Sequence, residues 1–505
     1  MRRSIPVLFT LALLATSHLL VQAAARTRAP RLWTDEALAG WALPIAGVSA
    51  APTFYSEAEY YAAPIDELRT YPVYVKGREP KGYREWMRQQ GPKPLIEIGR
   101  SRTDAEWAAA GREIFDGLDI PHNRTGDPRA LAWVDDPAAP EREHALVTKE
   151  GVIVSIRWVV DRDRTLKLTL GECGACHTRV LPDGTTISGA QGNLNFALSV
   201  FGPIFEHEAS VTKQLGRDRL PADVAYSFYA VPWLVDDIHA RLKTMSREER
   251  ERIDGLPTAP GTFTRFNGSP YFTNHMPDLI GVRDRRYLDA TATHRNRGPE
   301  DIARYGILVT DADDGAVGPH VFEPEHVRKL HSRHSDDAMY AIGKYVYALE
   351  PPKNPNRRDE MAARGEQLFA RSGCASCHTP PQYTNNKLVA VDGFTRVEHP
   401  QSPPAADVMP IALGLDPGLA LRTRKGTGYY KVPSLKGVWY RTTLEHSGSI
   451  ASLEEWFDPA RLRADYVSKG WNPPDTTTRA IPGHPFGLNL PAEDKRALVA
   501  FLRTL

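Results

Sequence analysis

Two short stretches, "GECGACHTRV" at residues 171–180 and "RSGCASCHTP" at 371–380, contain every cysteine of a 505-residue chain. In each, two cysteines stand three positions apart and a histidine follows the second at once. On one helical turn, positions i, i+3 and i+4 share a face, so each stretch can present two sulfurs and an imidazole together. Four cysteines in an exported chain are usually two disulfides, and paired C-x-x-C motifs also serve zinc sites and redox thiols. A zinc knuckle wants its pairs roughly 15–20 residues apart; here the second motif begins at Cys374 and the first at Cys173. The histidine directly after the second cysteine is the attachment signature of c-type haem, in which the thiols add to the vinyl groups and the histidine binds iron. The expectation is therefore two covalently bound c-type haems and no disulfide. Cys173, Cys176 and His177 hold one; Cys374, Cys377 and His378 hold the other.

Export is read from the other end of the chain. "MRRSIPVLFTLALLATSHLLVQAAARTRAP" has Arg2 and Arg3, an apolar run from Ile5 to Val21, and small residues at Ala23-Ala24-Ala25. That is the build of a secretory signal cleaved after Ala25, which implies a periplasmic or secreted protein. A retained membrane anchor is the alternative, weakened by Thr10, Ser17 and His18 within the run. Losing Arg2 and Arg3 takes the formal charge from +1 to −1, so nothing in the charge balance calls for nucleic acid. With 41% hydrophobic and 25% charged residues, the composition is ordinary globular material, long enough for two or three domains.

The organisation looks duplicated. "AARGEQLFARSGCASCH" leads a short helix into the second motif, and "AAGREIF" at 109–115 repeats that helix start. Residues 116–172 then intervene before Cys173, which reads as an insertion. "SDDAMYAIGKYVYALEPP", with an N-cap candidate at Ser335 and prolines at 351 and 352, closes the first half. "PAEDKRALVAFLRTL", with Leu498, Phe501 and Leu502 on one face, closes the second. The fold class expected is mostly α. It comprises a signal peptide (1–25), an N-terminal extension (26–100), a first cytochrome-c-like haem domain with insertions (101–350) and a second (355–505), with long irregular loops.

"YYKVPSLKGVWYRTTLEHSGSIASLEEWF" resembles the corresponding segment of bacterial di-haem cytochrome c peroxidases and MauG-type enzymes. "YALEPPKNPN", "CHTPPQYTNNKL" and "EEWFDPARL" are more similar to the haem-dependent rubber oxygenases and their relatives. The resemblance covers residues 362–505 most clearly and 101–350 more weakly. It implies a sixth iron ligand for the second haem in the loop before the final helix, usually Met; here "AIPGHPFGLNLPAED" offers His484. His446 in "LEHSGS" is the rival, although its counterpart in the family lines the haem surroundings, and Met409 is an outside candidate. Family peroxidases place a distal histidine about 16 residues after the first proximal one. The stretch after His177 contains neither histidine nor methionine until His207. His320, His326, His331 and His334 are the remaining candidates to close the first iron. An iron held by His177 alone would admit dioxygen or peroxide.

Further candidates lie between the motifs. Trp233, His239, His275, His294 and Tyr305 are candidate pocket residues, and Glu206 or Glu208 could act as an acid/base in peroxide cleavage. Trp233 or Tyr287 could relay electrons between haems. Each also has a plain structural reading: core packing, helix capping or surface salt bridges. The functional expectation is an oxidoreductase that activates peroxide or dioxygen at the first haem and exchanges electrons through the second. Its partner would be a small cytochrome or a cupredoxin. The alternatives are a pure electron-transfer cytochrome and a subunit of a membrane-associated complex, with residues 26–100 as the interface.

Overall fold

The computed structural model describes residues 25–194, 222–254, 260–264, 268–312, 315–322, 330–396 and 398–505. Nearly all of the expected signal segment, together with Glu206, His207, Glu208 and His326, lies outside these residues.

Two helix crossings organise the chain. Helix α1 (Asp104–Phe115) starts at Thr103, whose hydroxyl accepts from Glu106 N while the Glu106 carboxylate accepts from Thr103 N. This reciprocal capping box fixes the helix start. Helix α2 (Glu172–His177) carries the first cysteine motif, and α3 (Pro299–Thr310) precedes α4 (Asp336–Tyr347). The expected cap is present on α4, where Ser335 Oγ accepts from Ala338 N at 3.2 Å. Helix α5 (Glu360–Arg371) leads into the second motif, and α6 (Ala492–Leu502) ends the chain.

Helix α1 packs on α4, and α5 packs on α6. The two crossings share one geometry. A Cβ placed on Gly111 of α1 would lie 1.9 Å from Ala341 O and 2.7 Å from Tyr345 Cβ. A Cβ on Gly365 of α5 would lie 1.9 Å from Ala497 O and 2.8 Å from Phe501 Cβ. Both glycines sit in the repeated "G-x-x-[I/L]-F" pattern, and both let a helix backbone touch its partner's backbone.

The main core gathers Trp107, Ile114 and Phe115 of α1 with Ile302 and Ile307 of α3 and Met339 and Tyr340 of α4. Trp33, Trp41 and Tyr60 from the N-terminal extension complete it, so this extension is built into the interior. Phe369 of α5 packs with Leu498, Phe501 and Leu502 of α6 in a separate core. The intervening segment 116–172 forms most of a third. Strand β1 (Thr70–Tyr74) pairs antiparallel with β2 (Val152–Val160), which pairs antiparallel with β3 (Leu166–Leu170). Ile156 and Trp158 of β2 and Leu168 of β3 are buried with Trp133 in this core.

The mostly-α expectation is thus correct only in outline. Helices make the organising crossings, but the described residues also contain six sheets of two or three strands. Several of these short strands pair residues far apart in the chain, such as Pro52 with Val317 and Leu388 with Lys431.

Candidate haem-binding site

The first motif follows the sheet directly. β3 ends at Leu170, and α2 then turns against the C-terminal end of α1. His177 Nδ1 lies 2.9 Å from Pro277 O. A carbonyl can only accept, so Nδ1 carries the proton and Nε2 keeps its lone pair for a metal. Burial pushes the His177 imidazole down to about 4, which keeps it neutral.

The second motif is set in the same way. After α5, a 3₁₀ turn (Cys374–Ser376) brings His378 N to within 2.9 Å of Cys374 O. His378 Nδ1 is 3.1 Å from Pro433 O and 3.2 Å from Tyr383 O. Its ring centre lies 6.3 Å from that of His484, with the planes at 54°. Metal–imidazole bonds of about 2.0–2.1 Å on both sides, with the two ring radii added, require nearly that separation. His484 Nδ1 is buried without a hydrogen-bond partner. Burial, then the adjacent His378, pushes the His484 imidazole down to about 3, so it is neutral and able to donate a lone pair. Its loop is held by Arg461, whose guanidinium donates to His484 O at 3.0 Å and to Gly483 O at 2.9 Å.

His446 is engaged otherwise. It stacks on Tyr430, with ring centres 4.1 Å apart at 19°, and its Nδ1 pairs with Glu445 Oε1. Burial opposes the Glu445 charge, but His446 and Ser447 override it and hold the carboxyl down to about 2. Met409 Sδ sits 3.7 Å from Cys377 Sγ and accepts from Asn385 Nδ2 at 3.2 Å. No disulfide joins any two of the four cysteines, and burial pushes the Cys374 thiol up to about 11, far from the lowered range of exchange-active thiols.

One cavity of about 360 Å³ reaches both motifs. Cys176 and His177 border it on one side, and Cys374, Cys377, His378 and His484 on another. Two neutral imidazoles with Nδ1 fixed by carbonyls, each beside a cysteine pair at an apolar-walled cavity, suit the group the motifs imply. His446, Glu445, His275, Tyr287 and Tyr305 also line the cavity. His275 Nδ1 is 2.8 Å from Glu445 O; Tyr287 donates to Asp407 at 2.8 Å and Tyr305 to Asp289 at 2.5 Å.

Other sequence candidates are elsewhere. Trp233 packs against His320 and Phe322, its indole donating to Ala46 O at 3.1 Å, and does not line the cavity. His294 is 1% exposed between Trp41 and Tyr305. His239 bridges Asp237 and Ser269 at 2.8 and 2.7 Å. His334 uses both ring nitrogens, on Asp311 and on Asp119 O, each at 2.7 Å. Neither His320, His331 nor His334 borders the cavity.

Sequence reasoning missed Pro277, Pro433, Glu445 as the partner of His446, and the cations Arg285, Lys431 and Arg441 that line the cavity. Lys431 and Pro433 had a signal, inside the "KVPSL" segment, and Arg441 and Glu445 follow in the same quoted stretch, whereas Pro277 and Arg285 had none.

No family model matches the chain, and no curated protein matches it. Solved structures similar to it include hydrazine synthase of Kuenenia stuttgartiensis, at 14% identity over 59% of this chain and 92% of that one, with a TM-score of 0.28. A MauG-like protein associated with microbial copper homeostasis is 16% identical over 46% of this chain and 73% of its own, with a TM-score of 0.28. A diheme peroxidase of Burkholderia thailandensis is 19% identical over 50% and 74%, with a TM-score of 0.25. Overlaps of that size carry no argument about fold or chemistry.

Proposed function

We propose that the chain is an exported di-haem c-type cytochrome with oxidoreductase activity, built from two cytochrome-c-like units. The reactive haem is held by Cys173, Cys176 and His177, and the electron-transferring haem by Cys374, Cys377, His378 and His484. The observation that carries this reading is the asymmetry around one shared cavity. His378 has a second imidazole 6.3 Å away, whereas no ring contact to His177 is present among the described residues. Bound at such sites, haem iron supplies one-electron transfer and, where a coordination position is open, activation of peroxide or dioxygen.

The chain's own residues do the rest. The carbonyls of Pro277 and Pro433 fix the tautomer of the proximal imidazoles and raise their basicity. Arg461 fixes the loop that presents His484. The segment 443–447 lies across the first motif's surroundings, since Gln191 Nε2 donates to Thr443 O at 3.0 Å and to Met276 O at 3.3 Å. A small cytochrome or a cupredoxin in the periplasm is the electron partner of this reading.

Two measurements test it. Intact mass of the exported protein should show two haems and no free thiol; one haem, or four free thiols, removes the reading. Cyanide and carbon monoxide should perturb one haem of the two, and His177→Ala should abolish that response. If neither haem binds either ligand in any oxidation state, the chain is an electron carrier without substrate turnover.

A further inference from the structure

Arg285, Lys431 and Arg441 lie together on the wall of the cavity shared by the two motifs. Nearby carboxylates are spent elsewhere. Asp278 accepts from Tyr440 at 2.6 Å and from Arg441 Nη2 at 2.9 Å, and Asp289 accepts from Tyr305 and Thr293 with Lys425 3.5 Å away. Glu445 is paired with His446. Arg285 bonds only carbonyls, Asp278 O and Ile280 O, and Lys431 bonds only Tyr287 O at 3.3 Å. Among the described residues, neither cation has a carboxylate at ion-pair distance. Burial, then the adjacent Arg285 guanidinium, pushes the Lys431 ammonium down to about 7 against the opposing pull of Asp289.

Any occupant that fills the cavity strips water from both groups, and desolvating an unpaired cation is costly unless the occupant brings an anion. A guanidinium and an ammonium side by side suit a carboxylate, the first through its planar fork and the second as a point charge. We infer that Arg285 and Lys431, flanked by Arg441, form a carboxylate seat in the wall between the two haem motifs. Haem carries carboxylates on its propionate side chains, and a dissolved organic acid carries the same group. The inference rests on the di-haem reading only for the first source.

Lys431→Met on the full holoprotein tests the seat, because Lys431 makes a single protein bond and its loss leaves the backbone partners of Arg285 untouched. Lys431→Arg keeps the charge. If the seat holds a propionate, Lys431→Met lowers the reduction equilibrium constant of one haem about tenfold at low salt. It also moves the propionate bending band in the resonance Raman spectrum, and Lys431→Arg restores both. If the seat holds a dissolved acid, acetate raises the thermal midpoint of the wild type saturably and not that of Lys431→Met. An unchanged potential and Raman band, with no acetate effect, overturns the seat. Intact mass of the same preparations reads the haem count separately. A chain without haem sinks the di-haem reading, and the acetate titration then decides the seat alone.

Discussion

His378 and His484 face each other across 6.3 Å, while His446, also on the cavity wall, is bound to Glu445 and stacked on Tyr430. The two histidines therefore fail differently when removed. On the proposed di-haem reading, His484→Ala should convert the second haem from low-spin to high-spin, read by electron paramagnetic resonance, with a modest change in stability. His446→Ala should leave that spectrum low-spin and take one partner from the buried Glu445 carboxylate, which keeps Ser447, so the loss should stay below about 3–5 kcal/mol, the cost of a buried charge left unpaired. A spectrum changed by His446→Ala and untouched by His484→Ala would reverse the ligand order. The sequence offered both rings in the right region. It could not rank them by contact, because Glu445 follows the ordinary rules of a polar loop and only its approach to His446 reveals the pair.

Glycines 111 and 365 show how little room the helix crossings leave. In an open helix, glycine to alanine gains about 1 kcal/mol. Here the added methyl would meet a carbonyl of the partner helix at 1.9 Å, so the helices must part. Overpacking of this kind costs about 1–3 kcal/mol or more. Gly111→Ala and Gly365→Ala should therefore each lower the denaturant midpoint of the holoprotein, against the sign of helix propensity. A raised midpoint in either would show that the crossing yields freely. The repeat "AAGREIF" and "AARGEQLF" was legible, as were the Ser335 cap and the apolar face of α6, since caps and helical periods are local patterns. The role of the glycine was not, because Ala341 and Ala497 lie far along the chain and offer only backbone atoms.

At the scale of the whole molecule, the buried His334 ties four segments together. It bonds Asp311 after α3 and the Asp119 carbonyl after α1, while Ser335, its neighbour and the cap of α4, donates to Glu67 of the N-terminal extension at 2.7 Å. Burial alone would lower its pKa, but the carboxylates of Asp311 and Glu67 override it and hold the imidazolium up to about 10. A raised folded-state pKa stabilises the protonated form. The contribution is complete below about pH 6.5, the ordinary histidine value, and is lost as pH rises toward about 10. Unfolding free energy should accordingly fall across that interval by a few kcal/mol, and His334→Gln should flatten the fall; parallel curves for both proteins would rule the linkage out. By itself, the sequence determined what covalent spacing encodes: the two C-x-x-C-H motifs, the duplicated helices that lead to them, and the caps. Only the tertiary structure decided what surrounds each motif. It brought Pro277 to His177, Pro433 and His484 to His378, and Lys431 beside Arg285 on one cavity wall. These partners lie 55 to 146 positions apart in the chain, and several act through main-chain carbonyls that every residue carries. Such contacts leave no mark in the sequence, because folding selects them by position and not by side-chain type.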